Sequence, residues 1–147
     1  MHYVFFDGAS KSNPGMAGAG GLICNGNGDA LLDYEWGLGS LSNNTAEALA
    51  LYQGLIQLQK LGINTVVIIG DSAIVINLMI SKRKAPNLFL QQIIGRCHTI
   101  DQQMKGNLFY HVLRTLKKEA DKRANRACTH SVGNLRCNGV DQLFFLP

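Results

Sequence analysis

The stretch Tyr3-Val-Phe-Phe-Asp-Gly-Ala-Ser-Lys-Ser-Asn-Pro-Gly-Met-Ala-Gly-Ala-Gly-Gly21 decides the fold, because an aromatic and β-branched run ends in one acid and then turns sharply. Its first residues predict a buried strand. At Pro14-Gly15, proline presets its own φ and glycine accepts a positive φ, which predicts a turn. Asp7 is therefore expected on a rigid strand, close to glycine backbone that a ligand can approach.

Length and composition limit the class of protein. The 147 residues are enough to bury about 68–70% of the surface of the unfolded chain, so residues 1–147 are predicted to form a single domain. Four cysteines without CxxC spacing, and a start that enters a strand at once, predict reduced thiols in an intracellular protein, cytoplasmic or nuclear, that is not secreted. No apolar run reaches membrane-spanning length.

The charge distribution favours a polyanionic partner. The net charge is +4, and the Lys and Arg residues cluster at 82–84 and 117–126. Short basic runs are usually solvated faces, so this alternative stays open.

The segments after the first turn predict an antiparallel meander. Residues 17–24 and 30–38 are two extended runs, and the loop 25–29 between them contains two Asn-Gly turn signals. Trp36, on the third strand, is expected to pack half-buried, with base stacking as the alternative.

A helix is predicted to follow. Asn43 or Asn44 is the expected N-cap, the helix runs to Leu61, and Gly62 closes it. Glu47 falls near the start of this helix, where an anion is favoured by the dipole, so a capping role and a functional role are both possible.

The β-branched run 65–71 predicts a central strand that ends in Asp71. A helical crossover makes this strand parallel to one strand of the meander. If that neighbour is the first strand, Asp71 comes to lie next to Asp7 at the carboxyl end of the sheet. Residues 72–80 have strand-like composition, although a helix after a parallel strand is the usual arrangement.

The second half of the chain predicts two more helices and one more strand. Pro86 is expected to open a helix to Met104. A fifth strand is predicted at 107–114 and a last helix, carrying Asp121, at 117–128. The apolar end 143–146 is expected only to pack.

Four carboxylates thus lie on the first strand, first helix, fourth strand and last helix. In these carboxylates and the residues that flank them, the chain resembles type 1 ribonuclease H. The resemblance implies an RNase H-like α/β fold, a five-stranded mixed sheet (a three-stranded antiparallel meander plus two parallel strands) flanked by helices. The matching segments are Phe6-Asp-Gly-Ala, Ser12-Asn-Pro-Gly15, Asn43-Asn-Thr-Ala-Glu47-Ala-Leu-Ala-Leu, Gly70-Asp71-Ser72, Glu119-Ala-Asp121 and Ala124-Asn125.

The resemblance also implies two-metal-ion catalysis by Mg²⁺, with Mn²⁺ as a substitute. Hydrolysis of a phosphodiester needs an activated water and stabilised charge on the leaving oxygen, which two divalent ions supply, and Mg²⁺ prefers oxygen ligands. By resemblance, Asp7 is shared by both ions, Asp71 and Asp121 hold the ion that activates water, and Glu47 holds the other.

The implied substrate is an RNA/DNA hybrid, cut endonucleolytically in its RNA strand by a protein expected to be monomeric. Asn13, Asn43 and Asn44, with the backbone at Gly8 and Ala9, would contact the minor groove and the RNA 2′-hydroxyls. Each Asn also has a local explanation, a turn for the first and helix capping for the other two.

Several positions depart from the better-known members of the family. Residues 82–86 replace a longer basic protrusion, Ala73 stands where a Gln can read a base edge, and Lys117 stands where Asn is common. His111 lies at the sequence distance of the helper histidine in bacterial members but inside a predicted strand, so we interpret it as a strand residue. This short form is more similar to the archaeal-like type found in archaea, plants and some retroelements.

Other readings remain. A proofreading exonuclease needs a second acid where Ala9 stands, and an integrase needs Glu on the last helix, where Glu119 fits less well than Asp121. A catalytically weak or silent nucleic-acid-binding module of a retroelement polyprotein, with a reverse transcriptase domain as its partner, is the alternative.

Overall fold

The computed structural model describes residues 1–11, 15–81, 83–112 and 135–139. The strands form one sheet in the order β5-β4-β1-β2-β3-β6, with helices in the connections. The elements are β1 (His2–Ser10), β2 (Gly15–Cys24), β3 (Ala30–Leu41), α1 (Asn43–Lys60), β4 (Val66–Gly70), α2 (Ala73–Ser81), α3 (Leu88–Gln103), β5 (Leu108–His111) and β6 (Leu135–Gly139).

Strand β1 lies at the centre of the sheet and carries both kinds of pairing. It is antiparallel to β2, with Asp7 opposite Gly20, and parallel to β4, with Phe6 opposite Gly70. Strand β5 is parallel to β4. The predicted meander with two parallel strands is therefore confirmed, and Asp7 and Asp71 lie toward the same edge of the sheet.

A sixth strand, β6, pairs antiparallel with β3, placing Tyr34 opposite Cys137. The sequence did not predict this strand. Its segment Leu-Arg-Cys-Asn-Gly has no β-branched residue and ends in two residues that are rare in strands. Its conformation is therefore decided by pairing with the edge of β3 and not by local propensity.

Tyr34 explains how closely α1 lies on the sheet. The ring is fully buried, and its hydroxyl donates a hydrogen bond of 2.5 Å to the Ala50 carbonyl of α1. A Cβ built at Gly21 would lie 2.2 Å from the Tyr34 ring, and one at Gly54 would lie 2.8 Å from its hydroxyl. Burial raises the pKa of Tyr34 well above its ordinary value, so the hydroxyl remains a donor.

This contact gives a stability prediction. We expect Gly21→Ala to lower the free energy of unfolding by about 2–3 kcal/mol, because the added methyl overlaps a ring that has no room to move. The matched control is Gly95→Ala on α3, where an added Cβ meets nothing within 4 Å. Ala in a helix is favoured over Gly by up to ~1 kcal/mol, so the control should be neutral or more stable. Urea unfolding of both variants measures the difference, and equal stabilities would contradict the packing argument.

The start of α1 differs from the prediction. Ser42 is the N-cap, and its side chain accepts a hydrogen bond from the Thr45 backbone N–H at 3.3 Å. The prediction of Asn43 or Asn44 was wrong because Ser and Asn both cap helices well, and residue preference alone does not rank three neighbouring candidates. At the other end Gly62 has a φ of +72°, as expected for the residue that closes a helix.

The second and third helices also have their boundaries set by local side chains. The ambiguous segment 72–80 is helical, with the Ser72 hydroxyl accepting a hydrogen bond from the Val75 N–H at 3.3 Å. Helix α3 begins at Leu88 and not at Pro86, because Asn87 is its N-cap and accepts a hydrogen bond from Leu90 N–H at 2.8 Å. The prediction of Pro86 as the first helical residue was wrong.

Strand β5 is shorter at its start than the predicted 107–114. The Asn107 side chain joins α3 to the sheet, because its Oδ1 accepts from the Val66 N–H at 3.0 Å and its Nδ2 donates to Asp101 at 2.8 Å. The end of the predicted strand, the last helix 117–128 and the tail 143–146 lie outside the described residues.

The described cysteines and helices bear on two further expectations. Among the described residues, Cys24, Cys97 and Cys137 form no disulfide. Burial raises the pKa of the Cys97 thiol, which keeps it protonated. Cys128 lies outside the described residues. Within the described ranges, none of the helices combines the length and apolar character that crossing a membrane requires.

Candidate active site

Asp7 is the buried centre of the site. It lies on β1 with no exposed surface, and its Oδ1 accepts a hydrogen bond from the backbone N–H of Gly8 at 3.0 Å. A carboxylate at the middle of a sheet loses its hydration, so its burial requires compensating polar or cationic groups.

Glu47 reaches Asp7 because α1 lies directly on β1. A Cβ built at Gly8 would be 2.3 Å from the backbone of both Ala46 and Glu47, so only glycine permits this approach. Glu47 is buried and lies beyond the first turn of α1, which contains no acidic residue. The capping explanation for Glu47 is therefore excluded, since the residue is too far from the N-cap.

Asp71 comes to the same place from β4. It directly follows Gly70, the residue opposite Phe6 in the parallel pair, and a Cβ at Gly70 would be 2.4 Å from the Phe6 ring. One ligand atom each from Asp7, Glu47 and Asp71 can be chosen so that all lie within 4.8 Å of one another. Three elements distant in sequence thus deliver carboxylates to one point.

The donor set fits hard divalent cations. The cluster offers only carboxylate oxygens, the ligands that Mg²⁺, Mn²⁺ and Ca²⁺ prefer. One oxygen of each acid is buried: Oδ2 of Asp7, Oε2 of Glu47 and Oδ1 of Asp71. Three negative charges this close repel one another, and a bound cation removes that repulsion. The arrangement is therefore suited to binding a cation, while its identity is left open by the donor set.

The predicted substrate contacts are placed around this cluster with different exposure. Gly8 is buried beneath α1, and its N–H is directed at Asp7, whereas Ala9 is half-buried. Asn43 is exposed and Asn44 half-buried, at the first two positions of α1. Asn13 and Asp121 lie outside the described residues, so their contribution stays a prediction.

His111 contacts the site in a way that the sequence did not indicate. It is a residue of β5, as interpreted from the sequence, and its Nε2 lies 3.1 Å from the backbone carbonyl oxygen of Asp71. The register that pairs His111 with Gly70 could have suggested this proximity, but the sequence alone does not fix that register.

A family model described as reverse transcriptase-like matches residues 5–127. The chain belongs to the reverse transcriptase-like family. This reverse transcriptase-like chain is 29% identical over 122 residues to the bifunctional protein Rv2228c of Mycobacterium tuberculosis. The matched region is 82% of this chain and 34% of that protein. It is 28% identical over 125 residues to ribonuclease HI of Halobacterium salinarum, and this matched region is 85% of this chain and 63% of that protein. The chain therefore spans only part of the length of these curated relatives.

Solved structures extend the likeness of this reverse transcriptase-like chain to its three-dimensional fold. RNase H1 from Halobacterium salinarum superposes with a TM-score of 0.81 at 28% identity, over 86% of this chain and 96% of that one. LC11-RNase H1 in complex with an RNA/DNA hybrid gives a TM-score of 0.81 at 26% identity, over 87% and 96% of the two chains. The resemblance to type 1 ribonuclease H inferred from the sequence motifs is confirmed.

Proposed function

We propose that this chain is an endonuclease that hydrolyses the RNA strand of RNA/DNA hybrids with the help of divalent cations. The observation that carries the proposal is the meeting of Asp7, Glu47 and Asp71 within 4.8 Å. The likeness to two RNase H1 structures, one of them bound to a hybrid, supports the substrate class.

We assign each carboxylate a role as a ligand of one or both cations. Asp7, at the middle of the sheet, would be a ligand of both cations. Glu47 would hold the cation that stabilises the leaving group, and Asp71 with Asp121 would hold the cation that activates water. When bound, two divalent cations supply a water of lowered pKa and stabilise negative charge on the leaving oxygen. We propose Mg²⁺ as the physiological ion and Mn²⁺ as its substitute.

Asn43 and Asn44 are proposed to recognise the RNA strand. An amide side chain both donates and accepts hydrogen bonds, as a 2′-hydroxyl does, so it distinguishes RNA from DNA. Since Ser42 caps α1, capping no longer accounts for the two amides. Asn13, Gly8 and Ala9 belong to the same proposed surface, and the exposed Arg83 and Lys84 would contact phosphates without reading sequence.

The role of Asn44 is separable from folding. We expect Asn44→Ala to lower kcat/KM on a hybrid by about tenfold, the loss of one good hydrogen bond, with an unchanged melting temperature. The matched control is Ser42→Ala, which removes the cap and should cost ~1 kcal/mol of stability while retaining cleavage. Steady-state kinetics and thermal unfolding of both variants measure this. Asn44 is only structural if its variant loses stability and keeps full activity.

The proposed function is tested on four end-labelled duplexes: RNA/DNA, DNA/DNA, RNA/RNA and the hybrid with labels exchanged. We expect cleavage only of the RNA strand of the hybrid, in Mg²⁺ or Mn²⁺, leaving 5′-phosphate and 3′-hydroxyl ends, and none in EDTA. Cutting that survives EDTA, or equal cutting of all duplexes, contradicts the proposal. Hybrid binding without cutting would instead identify a catalytically silent module.

The wider setting of the chain is also a proposal. The family description favours a link to retroelements, in which a reverse transcriptase domain of the same polyprotein would be the partner, and a free-standing monomeric enzyme is the other setting. An intracellular location, cytoplasmic or nuclear, fits the absence of disulfides among the described cysteines. Size-exclusion chromatography and detection of the chain in whole-cell extracts would test these points.

A further inference from the structure

His111 makes a hydrogen bond at the end of the parallel ladder. In β5 it lies opposite Gly70, and the next residue, Val112, donates its N–H to the Gly70 carbonyl at 2.9 Å. The His111 Nε2 then lies 3.1 Å from the carbonyl oxygen of Asp71. Because a carbonyl oxygen only accepts hydrogen bonds, the ring must carry a hydrogen on Nε2. The side chain therefore continues the ladder by one residue after the backbone pairing ends.

The Asp71 carbonyl that His111 contacts lies where the chain leaves the sheet. Asp71 follows the last residue of β4, and Ser72 caps α2 through its hydrogen bond to the Val75 N–H at 3.3 Å. The β4 ladder fixes the backbone before Asp71, and the α2 cap fixes the backbone after it. The peptide between these two anchors is held by His111.

We propose that His111 is a positioning residue that orients Asp71 for cation binding, an inference that rests on the proposed function. The β4 ladder holds the peptide plane before Asp71, and the His111 contact holds the plane after it. Together the two planes fix the direction of the Asp71 Cα–Cβ bond. The carboxylate is thereby aimed at Asp7 and Glu47, with which it can place oxygens within 4.8 Å. His111 acts through Asp71, and its contribution is to the affinity for the cation.

Cation affinity is sensitive to such orientation. Mg²⁺ requires a nearly octahedral shell with ligands at about 2.0–2.1 Å, so a carboxylate displaced by a few tenths of an ångström is a poorer ligand. Groups that orient metal ligands typically change metal affinity or activity by about 10–100-fold when they are removed. Because His111 bonds to the backbone and not to the carboxylate itself, we expect an effect at the low end of this range.

The chain offers matched variants for the test. His111→Gln retains an N–H donor at the end of the side chain, whereas His111→Ala removes it. His98 provides the control, because its Nε2 lies 3.3 Å from the Met79 carbonyl, a similar histidine-to-backbone contact that joins α3 to α2. If the loss of any histidine-to-backbone contact were enough to weaken cation binding, both alanine variants would show it. Of these two histidines, only His111 contacts a residue of the carboxylate cluster.

The experiment measures Mn²⁺ binding to the protein alone by titration calorimetry and the Mg²⁺ dependence of hybrid cleavage. We expect the Mn²⁺ dissociation constant to rise by about tenfold in His111→Ala and to return most of the way in His111→Gln. His98→Ala should bind Mn²⁺ as the parent does. Cleavage by His111→Ala should recover to within about twofold of the parent kcat at saturating Mg²⁺. Nitrogen NMR of the ring should show the hydrogen on Nε2.

The outcomes separate this inference from the proposed function. Equal Mn²⁺ affinity in His111→Ala and the parent overturns the inference. A cleavage defect that excess Mg²⁺ does not restore, with Mn²⁺ affinity unchanged, also overturns it and gives His111 a direct part in the reaction. A parent that binds Mn²⁺ but cuts no hybrid refutes the proposed function, while the comparison among the histidine variants still decides the inference. Absence of Mn²⁺ binding in the parent refutes both.

Discussion

Asp7→Asn is expected to abolish hybrid cleavage while the melting temperature stays the same or rises. Asn keeps the size of the side chain but loses the charge that holds a cation at the centre of the site. Metal ions contribute several kcal/mol of transition-state stabilisation, so kcat should fall by about 10³-fold or more. Stability should not fall, because one of three mutually repelling carboxylates within 4.8 Å becomes neutral.

The measurement combines single-turnover cleavage with thermal unfolding, each with and without Mn²⁺. Mn²⁺ should raise the melting temperature of the parent, since a ligand that binds only the folded state stabilises it, and this rise should be lost in Asp7→Asn. The matched control is Asp101→Asn, because Asn keeps the Oδ1 that accepts from Asn107 at the far end of α3. Substantial cleavage by Asp7→Asn, or an equal loss in the control, would refute the assignment of Asp7 as the shared ligand.

Gly8→Ala is expected to damage both stability and activity through a single methyl group. The added Cβ would lie 2.3 Å from the α1 backbone at Ala46 and Glu47, so the helix start must move away from β1. Overpacking of this kind costs about 1–3 kcal/mol, and here the obstacle is backbone, which predicts the upper end. Displacing Glu47 by about 1 Å should lower kcat by about 10²-fold.

Gly21→Ala separates the two effects of the Gly8 substitution. Both variants overpack the sheet, but the methyl at Gly21 meets the side chain of Tyr34 and not the backbone that carries Glu47. At a temperature where both variants are folded by circular dichroism, Gly8→Ala should be slow, and Gly21→Ala should cleave at close to the parent rate. If the two variants lose activity in proportion to their stability, the close approach at Gly8 is structural and does not set the geometry of the site.

The sheet and the carboxylates could be predicted because their signals are strong and local. The run 65–71 is apolar and β-branched, which is typical of a strand buried on both faces, and Asp71 at its end follows from that placement. Asp7 likewise follows an apolar run, although β1 continues beyond it to Ser10. The position of Glu47 beside them required the resemblance to a known family, because periodicity fixes a helix face but not how far the helix lies along a strand.

The remaining features depend on contacts that propensity does not encode. Ser42 and Asn87 became caps in place of adjacent candidates because their side chains meet a backbone N–H, a choice among neighbours that residue preference leaves undecided. Strand β6 forms because β3 offers an edge. The contact of His111 with Asp71 depends on the register of β4 and β5, which a short strand does not specify by its sequence.

The parallel pairing of β1 with β4 has a kinetic consequence. Asp7 and Asp71 are joined through the meander and α1, so their meeting requires the closure of a long loop, which is slow and costs chain entropy. During synthesis at about 5–20 residues per second, a nascent chain carries Asp7 and Glu47 for some seconds before Asp71 is made. Cation binding should therefore be a late event in folding. Mn²⁺ should leave the folding rate unchanged and should slow unfolding of the native protein.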